Sequence, residues 1–484
     1  MALRTGAQYR RSLQRLRPNV YKWDQLIEDV TVHPSTRLHV DSVAHSYDAA
    51  FDPARAPVFA LASPLTGQPA HRWNTLLASP EHAIGNARMK REQFHHSGTC
   101  QGATCAGWTG LNALWATTWE IDQELGTSYH PRIRDYFRYI EDNACALSGA
   151  LTDAKGDRSK RPSQQRNEDA TLHVKEVRPD GIVVRGVKAQ ICGVAAAHEI
   201  VCFPGTAYSA SDRACAVAFA VPRDVQGLRI VETRRPSDTR DEEDGWDSPK
   251  VGTITQAWLL FDDVFVPNDR VFLCGEHAYT GRLITHFSAM YRAAIGACVA
   301  GQGDVMIGAA LSLARANGLS QKAFQDKLSQ MAVNNEVTFG LGMGAVLLGK
   351  QHPSGVWIAD SLLAHVNKVQ VAQLPYQTKL IAQDIGGGIA ETGCLPSYRD
   401  LTSERYGDEL VSALDAGADG ETRARLARLV EWLTIGGGVP GCMHGGGSPD
   451  GARLVVRALE PWEDFARDAQ RIAGVRTTVL EPAR

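Results

Sequence analysis

"DATLHVKEVRPDGIVVRGVKAQICG", residues 169–193, decides the fold. Its valines and isoleucines recur at the two-residue period of a strand, and Pro179-Asp180-Gly181 interrupts them with turn chemistry. Two strand-like runs around such a turn predict a β-hairpin. "ACAVAFAVP" (214–222), "LRIVETR" (228–234) and "TQAWLLFDDVFVP" (255–267) extend the same texture. Helix patterning surrounds this block on both sides. Before it, "TGLNALWATTWEIDQELG" (109–126) and "PRIRDYFRYIEDNACAL" (131–147) carry apolar residues at helical spacing, the first stopped by Gly126 and the second opened by Pro131. After it come "LITHFSAMYRAAIGACVAGQGDVMIGAALSLARANG" (283–318), a long apolar helix or helix pair, and helical segments at 323–349 and 355–386. The expected class is α+β: an N-terminal helical domain (1–150), a central β domain (151–278) and a C-terminal helical bundle with an extension (279–484). A small sheet then packs between helical layers.

Composition narrows the function classes. The 484 residues carry a formal net charge of -3 and 44% hydrophobic residues, enough for a large core. Near-neutrality gives no electrostatic reason to expect a nucleic-acid partner. No run of eighteen uninterrupted apolar residues occurs, so no membrane span is expected. The opening MALRTGAQYRRSLQRL lacks the apolar centre of an export signal, and ten scattered cysteines do not resemble a disulfide framework. Reduced thiols in the cytoplasm are the expectation. The charged run 234–250 reads as solvated loop.

Two stretches carry candidate chemistry. "LSGALTDAKGDRSKRPSQQ" (147–165) concentrates Thr152, Asp153, Lys155, Asp157, Arg158 and Ser163 in one polar loop. Such a loop suits a charged, multiply hydrogen-bonding ligand or a solvated domain junction. "HHSGTCQGATCAG" (95–107) joins His95 and His96 to Cys100 and Cys105. Residues i and i+5 of one helix lie roughly 140° apart, so the two thiols are not expected to converge unless a π-bulge intervenes. Adjacent histidines likewise point about 100° apart and cannot both join one site.

"GALTDAKGDR", "DGIVVRGVKAQ", "FDDVFVPNDRVFLC", "GDVMIGAA", "QDIGGG" and "MHGGGSP" stand in the order and spacing of one superfamily. The chain resembles the superfamily of the 4-hydroxybutyryl-CoA dehydratases (vinylacetyl-CoA isomerases) and the oxygenase components of 4-hydroxyphenylacetate 3-monooxygenases, with details nearer the dehydratases. The resemblance implies an acyl-CoA-dehydrogenase-like fold, FAD binding and a homotetramer. Thr152, Asp153, Lys155, Asp157 and Arg158 match the flavin-contacting loop. Lys188 to Cys192 match the following strand end, with Gln190 retained and Cys192 where the family has threonine. Gly386, Gly387 and Gly388 match the turn through which a neighbouring subunit reaches the flavin, and could equally be a helix C-cap.

The same resemblance implies where the two branches' chemistry would sit. Dehydratases hold an iron–sulfur cluster by Cys-x3-Cys and His-x6-Cys. Cys100, Cys105 and Cys298 occupy the cysteine positions, with one residue inserted between the first two, and Tyr291 stands at the histidine. Gln256 replaces a catalytic glutamate, and glutamine is no general base; Ile295 replaces a tyrosine. The phenol-binding set of the monooxygenases falls on Ala106, Gly110 and Gly149, whose small size predicts an enlarged pocket floor. Arg91 matches an arginine beside the flavin, and His444 lies in the retained glycine turn. With the dehydratase set altered, the leading expectation is a monooxygenase using reduced FAD from a separate reductase on a biosynthetic small molecule. Its catalytic candidates are Tyr291, Gln256, Arg91 and His444, and no metal is favoured. The alternatives are a lyase or isomerase of a CoA thioester with FAD and a cluster on Cys100, Cys105 and Cys298, and a non-catalytic flavoprotein subunit.

Overall fold

The structure, a computed structural model, describes residues 3–100, 102–234, 245–247, 254–435 and 444–475. Most of the charged run 234–250, and residues 436–443 ahead of the second glycine turn, lie outside the described residues.

The hairpin forms as its sequence demands. Strands His173–Arg178 and Gly181–Cys192 pair antiparallel, with Arg178 opposite Gly181 across Pro179-Asp180. They end a six-stranded sheet, followed by Gln256–Pro267, Leu228–Glu232, Val20–Lys22 and Gln25–Ile27. The last two strands come from a region whose sequence reads as helix. Three-residue strands are too short for a period-2 signal to show. A second sheet orders Val271–Cys274, Val217–Pro222, Glu199–Cys202 and Leu147–Ala150, the last pair parallel.

The helices bracket these sheets. Helix Gly102–Leu125 ends at Gly126, whose φ of 69° lies in the left-handed region that a glycine cap adopts freely. Helix Tyr129–Asp142 buries Ile133, Tyr136, Phe137 and Ile140 and stops before strand Leu147–Ala150. It is tied to the second sheet by the buried Glu199 carboxylate, which accepts hydrogen bonds from Tyr136 (3.1 Å), Tyr139 (3.0 Å) and Arg270 (2.6 Å).

Residues 283–318 form one rod rather than a pair. Helix Thr280–Ala316 runs 37 residues, about 56 Å. By length and composition it could cross a membrane, but 72% of its apolar window is packed inside the fold. Helix Lys322–Leu347 packs on it. The predicted helix 355–386 is broken. Lys350–Gln351 and Trp357–Ile358 make a small hairpin, and helices Ser361–Val371 and Leu374–Gly386 follow, separated at Ala372-Gln373 ahead of Pro375. Proline lacks the N–H an uninterrupted helix needs there.

Candidate active site

Three cysteines meet in a small pocket lined by Met89, Lys90, Gln93, Phe94, Cys100, Cys105, Trp108 and Cys298. This corrects the helical-wheel expectation for Cys100 and Cys105. The helix begins at Gly102, so Cys100 sits in the connection that follows Gly98 and does not share the register of Cys105. Helix Gly102–Leu125 is α-helical without a π-bulge, so convergence does not need one. The Cys298 thiol lies in hydrogen-bonding reach of both Cys100 and Cys105.

Lys90 gives this pocket its electrostatics. It is 6% exposed, on helix Pro80–Ser97, and its ammonium has no nitrogen or oxygen partner among the described residues. Burial works against the charge, but Cys105, Cys298 and Cys100 outweigh it and raise the pKa of Lys90. The Cys100 contact, with burial, pushes Cys298 up to about 12. Cys105 is raised well above the usual thiol range by Cys298 and by burial, with Lys90 opposing. Lys90 escaped the sequence reading, yet a signal exists. Asn86, Lys90, Gln93, Phe94 and Ser97 are all buried and recur at helical spacing, so a lysine falls on the inward stripe.

Tyr291 and Gln256 adjoin the thiols. The Tyr291 ring stacks on Phe287 (5.1 Å between centroids), and the Lys90 ammonium sits 5.6 Å from its centre. Burial, then Cys105 and Cys100, raises its phenol well above the usual range. Gln256 pairs across strands with Cys192 and offers it a hydrogen bond. Burial, then Cys105 and Glu232, pushes Cys192 up to about 11. Buried Glu232 is a carboxylate neighbour of Cys192 that the sequence did not single out.

The polar loop lies beside this group. Ala189 N donates to Thr152 O at 2.8 Å, joining the loop to the strand end that carries Gln190 and Cys192. Asp153 serves as an anchor: Lys188 Nζ donates to its Oδ1 (2.7 Å), to Leu151 O (3.0 Å) and to Phe203 O (3.2 Å), while the Tyr208 hydroxyl donates to Oδ2 (3.0 Å). Thr152 is half-buried; Lys155, Asp157, Arg158 and Gln190 are exposed. Lys155 (φ 73°) and Gln190 (φ 56°) both hold left-handed backbone, costing about 1–2 kcal/mol each.

Other sequence candidates fall elsewhere. Arg91 is a clamp between helices: its guanidinium donates to Asp304 (2.7 and 2.8 Å) and Glu336 (2.5 and 3.2 Å) and lies over Phe339. His95 Nε2 is 2.9 Å from the same Asp304, and His96 Nε2 is 3.0 Å from Glu92. His95 Nδ1 also lies 3.2 Å from Glu92, so the expectation that adjacent histidines cannot share one site is corrected: a single carboxylate one turn earlier reaches both rings. His444 is exposed, but its turn matters: Arg292 Nε donates to Gly446 O at 3.0 Å, and Gly446 (φ 73°) sits so close that a Cβ would lie 3.0 Å from the Tyr291 ring. Gly387 caps helix Leu374–Gly386 with φ 70°, and nothing lies within 4 Å of where a Cβ on Gly387 or Gly388 would stand.

The enlarged pocket floor is not found. A Cβ on Gly110 would lie 2.6 Å from the Phe203 ring, and one on Gly149 2.6 Å from the backbone of Ala106. Ala106 and Gly149 are small because helix Gly102–Leu125 packs directly on strand Leu147–Ala150, and Gly110 because the Phe203 ring fills the space beside it.

The fold is that of an established class. Residues 5–273 match the N-terminal model and residues 280–474 the C-terminal model of the 4-hydroxyphenylacetate 3-hydroxylase family, and the chain belongs to that family. Within it, the chain is 35% identical to the 4-hydroxybutyryl-CoA dehydratase/vinylacetyl-CoA-Delta-isomerase of Clostridium aminobutyricum, over 98% of this chain and 100% of the relative. It is 26% identical to the 4-hydroxyphenylacetate 3-monooxygenase oxygenase component of Geobacillus sp., over 90% and 88%. Among solved structures, an oxygen-tolerant archaeal 4-hydroxybutyryl-CoA dehydratase from N. maritimus superposes with a TM-score of 0.95 at 32% identity, covering 100% of this chain and 97% of that one. The oxygenase component HpaB complexed with FAD shares the fold, with a TM-score of 0.82 at 22% identity over 97% and 99%.

Proposed function

We propose that this chain is an FAD-dependent oxidoreductase of monooxygenase type, using reduced flavin delivered by a separate reductase and acting on a biosynthetic small molecule. One observation carries the reading. Two non-glycine residues, Lys155 and Gln190, are held in costly left-handed backbone on adjoining segments that the buried Lys188–Asp153 pair locks together. Strain of this kind persists where surrounding structure enforces it, and it gathers at ligand sites. Thr152, Lys155, Asp157, Arg158 and Gln190 would hold the cofactor, with the open Gly387 and Gly388 of the Gly386–Gly388 turn admitting a neighbouring subunit. Bound FAD supplies two-electron chemistry and, when reduced, reaction with dioxygen. The chain's own residues supply the rest. Tyr291 and Gln256 orient substrate by hydrogen bonds, the 444–447 turn closes over Tyr291, and the apolar walls exclude water. Exposed Leu454, Trp462, Phe465 and Ile472 on the two C-terminal helices favour burial in a homotetramer.

A second reading, a cluster-bearing lyase or isomerase of a CoA thioester, is favoured by the convergence of Cys100, Cys105 and Cys298. Three thiols suit a cluster. The fourth position does not: Tyr291 offers a phenol that burial and the thiols hold protonated. The donor set is therefore incomplete, and no step is assigned to a cluster. Anaerobic purification with assays of FAD, iron and acid-labile sulfide separates the readings. FAD without iron is expected; about four irons per chain with matching sulfide would overturn the proposal. Oxygen uptake by the reduced enzyme with candidate substrates then tests the oxygenation.

A further inference from the structure

At the opposite end of the helix pair that carries the thiols lies an independent cluster. Glu120 is on helix Gly102–Leu125, His286 on helix Thr280–Ala316 and His352 in the turn of the Lys350–Gln351/Trp357–Ile358 hairpin. Glu120 Oε1 is 3.1 Å from His286 Nε2 and 3.3 Å from His352 Nε2, and one ligand atom from each residue lies within 4.8 Å of the others. Side-chain exposures are 14%, 15% and 11%. Cys105 and Glu120 are fifteen residues apart on one helix, so the cluster stands about 22 Å from the thiol pocket.

We propose that Glu120, His286 and His352 form a binding site for a divalent transition metal, zinc(II) foremost. Four features support this. Two imidazoles and one carboxylate are a donor set that zinc accepts with a fourth position left open. Ligands at about 2.0–2.1 Å around a tetrahedral ion lie about 3.3 Å from one another, and the two donor separations are already close to that. The second carboxylate oxygen, Glu120 Oε2, is buried with no hydrogen-bond partner among the described residues, and a buried acceptor left unmet demands an explanation. Finally, Ser354 fixes the orientation of the His352 ring from the far side: its Oγ lies 2.8 Å from Nδ1 and its backbone N–H donates to Nδ1 at 3.2 Å.

Metal at His352 Nε2 would displace that nitrogen's proton, and moving it to Nδ1 would replace the bond that Nδ1 now accepts from the Ser354 backbone N–H at 3.2 Å with one donated to Ser354 Oγ. The ion would cross-link two long helices and the hairpin, as a staple remote from the flavin chemistry.

The test titrates the chelator-stripped full-length protein with cobalt(II), followed by zinc(II). One cobalt per chain is expected, with visible d–d bands, no near-ultraviolet thiolate-to-cobalt charge transfer, and displacement by zinc. His352→Ala and Glu120→Gln should each weaken binding by about 100-fold or more, with native circular dichroism, whereas Cys298→Ser should leave it unchanged. Zinc should raise the thermal midpoint of the wild type and not that of Glu120→Gln. Failure to take up cobalt, uptake that survives His352→Ala, or cobalt carrying a thiolate charge-transfer band and no other signal would overturn the proposal. The last two would leave the two imidazoles sharing one carboxylate as a plain hydrogen-bonded cluster.

Discussion

Lys188→Met isolates the anchor of the polar loop. It removes an ammonium that is 3% exposed and leaves the Asp153 carboxylate, 12% exposed, with the Tyr208 hydroxyl as its remaining partner. Taking one member from a buried ion pair costs about 3–5 kcal/mol, because the other charge stays desolvated. The Leu151 and Phe203 carbonyls lose their charged donor too. We expect a loss of about 4 kcal/mol for the single change. Adding Asp153→Asn should return about 2 kcal/mol, since the stranded charge is gone. Guanidinium unfolding followed by tryptophan fluorescence measures the cycle, and FAD affinity is measured on the same proteins by equilibrium dialysis. Affinity should fall by about 100-fold or more, because positioning Lys155 and Gln190 depends on this lock. A single-variant loss below about 1 kcal/mol would refute the electrostatic reasoning. A full stability loss with FAD affinity within about threefold of wild type would refute the link between lock and cofactor.

Three further outcomes are expected. Buried His71 and His198 are each held down to about 3, chiefly by burial, against about 6.5 unfolded. Their neutral forms contribute stability that is fully present above pH 6.5 and lost as pH falls toward 3, at about 1.4 kcal/mol per pH unit per histidine, and His198→Gln should roughly halve the slope in unfolding midpoints between pH 7 and 5. Alkylation at pH 8 read by mass spectrometry should label exposed Cys394 at once and leave Cys105 and Cys298 unreacted, since both are protonated there; rapid labelling of either would contradict the buried-thiol account. Gly446→Ala should cost about 1–2 kcal/mol through its left-handed backbone, displace Tyr291 and lower turnover while FAD content is retained.

What could be read from the chain, and what could not, follows from how each signal is encoded. The hairpin at 173–192 and the single-helix stop at Gly126 are local, written in turn residues and period, and the chain carries them openly. The break near Ala372 hid inside a run of helix formers. The position of Cys100 depended on where a helix begins, the least readable feature of any element, so a two-residue difference in the start reversed the geometry of a thiol pair. Gly110 and Gly149 appeared as vacancies because a sequence shows what a residue lacks and not the neighbour that fills the space. Glu120, His286 and His352 are separated by 166 and 66 residues of chain and share no motif; only an antiparallel pair of helices and a hairpin turn assemble them.

Helix Thr280–Ala316 carries His286, Tyr291, Arg292, Cys298 and Asp304 on one unbroken rod. Adding or deleting a residue within 286–304 would turn everything beyond it by about 100° and disconnect the metal cluster, the tyrosine, the thiols and the Arg91 clamp in one event. The connection after Gly98 obeys no such rule, because it precedes the helix that holds Cys105. The scaffold is thus free to change its chemistry by replacement along the rod and by length at the loop, and lineages of this fold should diverge in that asymmetric way.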